Sequence, residues 1–132
     1  NEIKNLAGKN KNVMLLIDKD DKEKYEALAA ADIFIHPSHY DAFGITILEA
    51  FSQKCAVIGS DKGGVPLVIA KSGLIFEDNN LEDLKNKISI LIRNKKLRQE
   101  FQNNGYKRVK KFTWEEIAKD IEKLYKEVVK IF

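Results

Sequence analysis

Ile33-Phe-Ile-His-Pro-Ser-His-Tyr-Asp-Ala-Phe-Gly-Ile-Thr-Ile-Leu-Glu-Ala50 carries a change of period within eighteen residues. Ile33 to Ile35 is a short apolar run of strand type, Pro37 ends it, and a polar turn follows. After Gly44, the apolar residues Ile47, Leu48 and Phe51 adopt helical spacing. The stretch therefore predicts a strand, a loop and a helix N-terminus. In open α/β sheets, ligands bind in the crevice beyond the carboxyl ends of such strands, and the unpaired N–H groups of the following helix attract phosphate. Gly44 fits this placement, because a residue without Cβ lets a ligand approach the backbone.

The flanking sequence repeats the alternation. Asn1 to Asn12 is polar and lysine-rich and reads as the tail of a helix followed by a loop. Val13 to Ile17 is a continuous apolar run, the pattern of a strand buried in a parallel sheet. Asp21 is placed to cap a helix from Lys22 to Ala31 with Tyr25, Leu28, Ala29 and Ala31 as its apolar face. Ala56 to Ile58 and Leu74 to Phe76 are two further strands, and a glycine-rich loop, Gly59 to Pro66, follows the first of them. From Leu81 the pattern is helical, with Leu84, Ile88, Leu91 and Ile92 in one helix and Leu97, Phe101 and Val109 in a second that Gly105 interrupts. A last helix is expected over 113–131, opened by Thr113 and Glu116 as a capping box and striped by Ile117, Ile121, Leu124, Tyr125 and Val128. The expected architecture is a single α/β domain over 1–132, a Rossmann-like parallel sheet of about four strands with helices on both faces.

Composition narrows the function classes. The chain of 132 residues is 44% hydrophobic and 33% charged, and its net charge of +3 comes from 23 basic and 20 acidic residues. That balance gives no argument for nucleic acid as a partner. No apolar run approaches the ~20 residues of a membrane span, and the N-terminus has no signal-type apolar core, so a cytoplasmic location is expected. The single cysteine, Cys55, lies beside apolar Ala56 to Ile58 and reads as an inert core residue. His36 and His39 do not have metal-ligand spacing, and no metal site is read.

Pro37-Ser38 followed by Asp41-Ala-Phe-Gly-Ile-Thr-Ile-Leu-Glu49-Ala resembles the P-S…E-G-F-G-x-x-x-x-E-A signature of retaining group 1 (family 4) glycosyltransferases. In both, seven residues separate the two acids. Here Asp41 stands where the family usually has Glu, and Ala42 replaces its Gly. Ala31-Asp-Ile-Phe-Ile-His-Pro-Ser resembles the family's A-D-V-F-V-x-P-S, Ala56 to Pro66 its P-V-V-A-x-x-x-G-G-x-P-E, and Phe112-Thr-Trp-Glu its F-S-W-E. Leu67 occupies the place of the Glu after Pro. The resemblance implies the latter part of the C-terminal, donor-binding domain of a GT-B enzyme. It implies transfer of a hexose from a UDP- or GDP-sugar to an acceptor hydroxyl, with no other cofactor. The N-terminal acceptor-binding domain is missing from the match, as are the first two strands of this domain and the family's Arg and Lys diphosphate clamp. The chain alone is then expected to be inactive, with no catalytic residue assigned. The alternatives are a non-catalytic nucleotide or sugar-phosphate binding module and a sugar-nucleotide epimerase of the same architecture.

By that resemblance Glu49 accepts hydrogen bonds from the donor ribose, while by helical position alone it is a solvated surface residue. Asp41 is either a contact to the transferred sugar or a helix cap. Phe43, Gly44, Ile45 and Thr46 offer backbone N–H groups to sugar and diphosphate, Gly63 and Gly64 allow close approach or a tight turn, and Ser38 contacts ligand or stabilises its loop. Trp114 and Tyr125 fit a core or docking stripe. Lys95, Lys96, Arg98, Lys107, Arg108, Lys110 and Lys111 form a basic cluster, read as a solvated face or as attraction to an anionic membrane surface carrying a lipid-linked acceptor, at the inner face. In the family's strand order, two strands would separate Val13–Ile17 from Ile33–Ile35. The intervening helix is long enough for a right-handed crossover, so direct pairing of these two strands is expected, or pairing with a second chain.

Overall fold

The computed structural model describes residues 2–130. In chain order the elements are α1 (Glu2–Gly8), α2 (Asp21–Ala30), β1 (Ile33–His36), α3 (Ile45–Ser52), β2 (Ala56–Ser60), α4 (Val65–Ile69), β3 (Gly73–Phe76), α5 (Leu81–Arg93), α6 (Lys95–Val109) and α7 (Trp114–Val129). A 3₁₀ turn, Lys110–Phe112, joins α6 to α7.

The sheet is parallel in the order β1-β2-β3, with Ile33 opposite Ala56 and Val57 opposite Gly73. Central strand β2 is buried at all five positions. Its alternation divides two cores. Phe34, Val57 and Ile75 join Ile47, Phe51, Val65, Val68 and Ile69 of α3 and α4 on one face. Ile33, Ile35, Ala56, Ile58, Leu74 and Phe76 meet Leu84, Ile88 and Leu91 of α5 on the other. Helices thus cover both faces, as expected for parallel strands. Helix α6 serves both cores. Leu97 and Phe101 reach the second core, Val109 reaches the first, and the Gln102 amide donates to the Asp32 carbonyl just before β1.

Asparagine caps make the helix boundaries sharp. Asn80 accepts from the Asp83 amide at 3.0 Å and Asn94 from the Leu97 amide at 2.9 Å, so one residue separates α5 from α6. Thr113 accepts from the Glu116 amide at 3.3 Å, and α7 begins where the capping pattern places it. Of the expected last helix, 113–131, position 131 lies outside the described residues.

Several expectations are corrected. The cap of α2 is Asp20, which accepts from the Glu23 amide at 2.8 Å, one residue before the predicted Asp21. Pro66 lies in the first turn of α4, a short helix that begins inside the segment Gly59 to Pro66 read as a loop and runs on to Ile69, and proline fits that turn because its missing N–H has no helical acceptor there. Gly105 does not interrupt α6. It sits buried within the helix because a Cβ there would lie 2.2 Å from Phe51 Cδ1. Among the described residues the sheet has three strands, not four: Val13 to Ile17 is no strand, and its side chains are exposed, Met14 by 81%. Among the described residues β1 pairs only with β2, so the expected pairing of Val13–Ile17 with Ile33–Ile35 does not form. Helix α2 packs on α3, with Leu28 against the first core, and among the described residues the preceding segment joins no ladder, its Val13 amide turning back to the Asn10 carbonyl at 2.9 Å.

Candidate functional site

The carboxyl ends of the strands gather three loops, 37–44 after β1, 61–64 after β2 and 77–80 after β3. Polar contacts bind them together. The Ser60 hydroxyl donates to the Ser38 carbonyl at 2.5 Å, and the Asp78 amide donates to Asp61 Oδ1 at 3.0 Å. His39 Nδ1 lies 2.6 Å from Asp78 Oδ1. Between the first and third loops opens a cavity of about 230 Å³ lined by Pro37, His39, Phe76, Asp78, Asn80 and Leu84.

Asp41 organises the start of α3. Its Oδ1 accepts from the amides of Phe43 at 3.0 Å and Gly44 at 2.6 Å, and its Oδ2 lies 2.9 Å from His36 Nε2. The Phe43 amide bond, opposed by desolvation and helped by the Gly44 amide and His36, holds this carboxyl below the usual carboxylate range. A carboxylate only accepts, so His36 carries its proton on Nε2. Its Nδ1, 3.3 Å from Thr46 Oγ1, faces the second residue of α3. His36 thus ties the last position of β1 to both sides of the turn. Gly44 supplies the left-handed bend, φ 79°, on which α3 begins. The amides of Ile45 and Thr46 occupy the first helical positions, where the helix has no acceptor of its own.

Gly63 and Gly64 let the second loop lie directly on this turn. A Cβ at either would stand 2.2 Å from a carbonyl oxygen, that of Asp41 or of Ala42, and the Gly64 amide donates to the Asp41 carbonyl at 2.8 Å. Here the close approach is backbone on backbone. The Ser38 hydroxyl donates to the Tyr40 carbonyl at 2.9 Å, within its own loop.

Glu49 lies on the side of α3 that faces α2. Its side chain is 18% exposed, with Oε1 2.9 Å from Lys24 Nζ and 3.4 Å from the Tyr25 hydroxyl. Hydrogen bonds to Asp21 and then to Glu49 raise the Lys24 ammonium above its ordinary range. Among the described residues both contacts to the Glu49 carboxylate fall on Oε1, which leaves Oε2 its accepting capacity.

The structure therefore gathers Ser38, Asp41, Phe43, Gly44, Ile45, Thr46, Gly63 and Gly64 at one end of the sheet, and sets Glu49 on the α2 side of the same helix. It adds two residues that the sequence reading passed over. The sequence raises His36 only as a metal ligand, because the strand read there ends at Ile35, whereas β1 runs on to His36. Lys24 carried no local signal, because its partner Glu49 is twenty-five positions away. Cys55 matches its expectation: it is fully buried, its thiol donates to the Leu28 carbonyl at 3.1 Å, and burial pushes its pKa up.

Three parallel strands, helices on both faces and loops assembled at the strand ends around a helix N-terminus define a Rossmann-like unit of the GT-B type. The family model "Glycosyl transferases group 1" matches residues 1–108, and the chain belongs to that family. An uncharacterized glycosyltransferase of Methanocaldococcus jannaschii is 32% identical over 131 residues, a match covering 96% of this chain and 37% of that protein. Sucrose-phosphate synthase from Thermosynechococcus elongatus superposes with a TM-score of 0.82 at 25% identity, over 99% of this chain and 34% of the other. Anabaena HepE, solved in complex with UDP, shares the fold at a TM-score of 0.69 and 21% identity, over 77% of this chain and 29% of its own. The chain spans about a third of the length of the Methanocaldococcus jannaschii relative and of the sucrose-phosphate synthase.

Proposed function

We propose that this chain is the donor-binding portion of a retaining glycosyltransferase that moves a hexose from a nucleotide-diphosphate sugar, UDP- or GDP-linked, to an acceptor hydroxyl. One observation carries the reading: α3 opens on a turn fixed by Asp41 and His36, and the same helix presents Glu49 with Oε2 unengaged. A diphosphate suits the positive end of the helix, where Ile45 and Thr46 offer amides. A carboxylate suits the vicinal diol of a ribose, since it can accept two hydrogen bonds at once. Amides aimed at a leaving diphosphate stabilise charge as it develops, which is the main catalytic resource of such a site.

The remaining parts lie outside this chain. An N-terminal domain would bind the acceptor and close the cleft, and a basic clamp would neutralise the leaving group. The domain is then a single nucleotide-sugar-binding unit, working in the cytoplasm, with a lipid-linked acceptor at the inner membrane face as one use of its basic surface. Calorimetric titration with UDP and GDP tests the donor role. Weak binding is expected, reduced about tenfold in Glu49→Ala by loss of a charge-assisted hydrogen bond. Equal affinity in the variant would remove Glu49 from the ribose site. No sugar transfer by the purified chain is expected with any common donor and acceptor.

A further inference from the structure

At the opposite end of the sheet a second pocket of about 230 Å³ is lined by Lys71, Ser72, Asn104, Lys107, Arg108 and Lys111. Ser72 immediately precedes β3, so this pocket lies at the amino ends of the strands, away from the loop that holds Asp41. Four of its six residues are cationic and none is acidic. Among the described residues none of these four cations is in an ion pair.

Cations at the end of α6 complement the helix dipole, and that alone accounts for Lys107 and Arg108. It does not account for Lys71 and Ser72, which arrive from the turn between α4 and β3. Ser72 is only 7% exposed and lines the pocket. Its amide is satisfied by the Ile69 carbonyl at 2.9 Å, but its hydroxyl has no hydrogen-bond partner among the described residues. No buried side-chain N or O atom among the described residues lacks a partner, so this hydroxyl is open to solvent, on the side of the pocket it lines. Arg108 is fixed beside it, donating to the Val68 and Leu67 carbonyls at 2.5 and 2.7 Å and lying over the Phe112 ring.

We propose that this pocket binds a phosphate group, held by the Ser72 hydroxyl and the Asn104 amide and neutralised by Lys71, Lys107 and Lys111. The chemistry requires several N–H and O–H donors around one tetrahedral anion, and lysine supplies the charge without demanding bidentate geometry. None of the pocket's lining residues belongs to the donor crevice. Free phosphate compounds and phospholipid headgroups present the same group.

The 132-residue chain at low ionic strength serves for the test, with inorganic phosphate titrated against chloride at matched ionic strength by calorimetry. Saturable binding is expected. It should weaken about tenfold in Lys107→Gln/Lys111→Gln and about threefold in Ser72→Ala, with melting temperatures in the absence of phosphate unchanged. A parallel arm sediments the chain with vesicles of phosphatidylglycerol and phosphatidylcholine or of phosphatidylcholine alone. Sedimentation only with the anionic vesicles, lost in the double variant, identifies a lipid headgroup as the source. Saturable phosphate binding without sedimentation identifies a free phosphate compound. Absence of phosphate binding, equal binding by parent and both variants, or vesicle binding that survives the double variant overturns the proposal.

Discussion

Asp41 is the residue on which two accounts of the site meet. With Oδ1 given to two backbone amides and Oδ2 to His36, it shapes the turn that presents α3, whatever else it touches. Replacing it with Ala should cost about 1 kcal/mol at neutral pH, the usual loss when a helix start gives up its side-chain acceptor. The sign of the pH dependence follows from its depressed pKa in the folded state. Stability from the carboxylate is fully present above the unfolded value of about 3.9 and is lost as pH falls through the folded one. The difference in denaturation free energy between parent and Asp41→Ala should therefore shrink as the pH falls below that unfolded value. A difference that does not shrink would show that the charge of Asp41 is not what holds the turn.

Helix α6 shows how an element can contradict its own local propensity. Glycine inside a helix is unfavourable by about 1 kcal/mol relative to Ala, yet Gly105 occupies the middle of a fifteen-residue helix. The ring of Phe51, fully buried, fills the space a Cβ would take. Gly105→Ala should destabilise by about 1–3 kcal/mol in urea unfolding, since overpacking outweighs the propensity gain. Adding Phe51→Leu should recover part of that loss if the clash is the cause. This packing was not legible in the sequence, where the same glycine read as a break. Helices α5, α6 and α7 were legible because each carries an apolar stripe of helical period, with an Asn or Thr cap in front. Helix α4 was not: five apolar residues with one proline have no period to read. The motif pointed to the loops and to Glu49, but it carried no sign of the competition for their polar groups. That Asp41 takes the Phe43 and Gly44 amides, and that Lys24 reaches Glu49, are tertiary facts.

The molecule as a whole is arranged around β2, and its order should decline outward from there. Val57 and Ile58 are fully buried between helices on both faces, whereas among the described residues β1 has one unpaired edge and Val13 to Ile17 has neither a ladder nor a covered face. Apolarity made that segment look like a strand, but a strand exists only where a neighbour accepts its N–H and C=O groups. An apolar run reports the preference for burial and not whether burial is available, which is why this one misled. Hydrogen exchange is graded by the free energy of local opening, from near zero in exposed segments to the global value in a buried central strand. Amides of residues 56–60 should therefore be the slowest to exchange and those of 13–17 among the fastest. Trypsin should cut first at Lys11 or Lys19, on either side of that apolar run, before any lysine of α5 or α6. If the amides of 13–17 are instead protected to the same degree as those of β2, the segment has found a strand partner. A rise in that protection with protein concentration would place the partner on a second copy of the chain, paired along the open edge of β1.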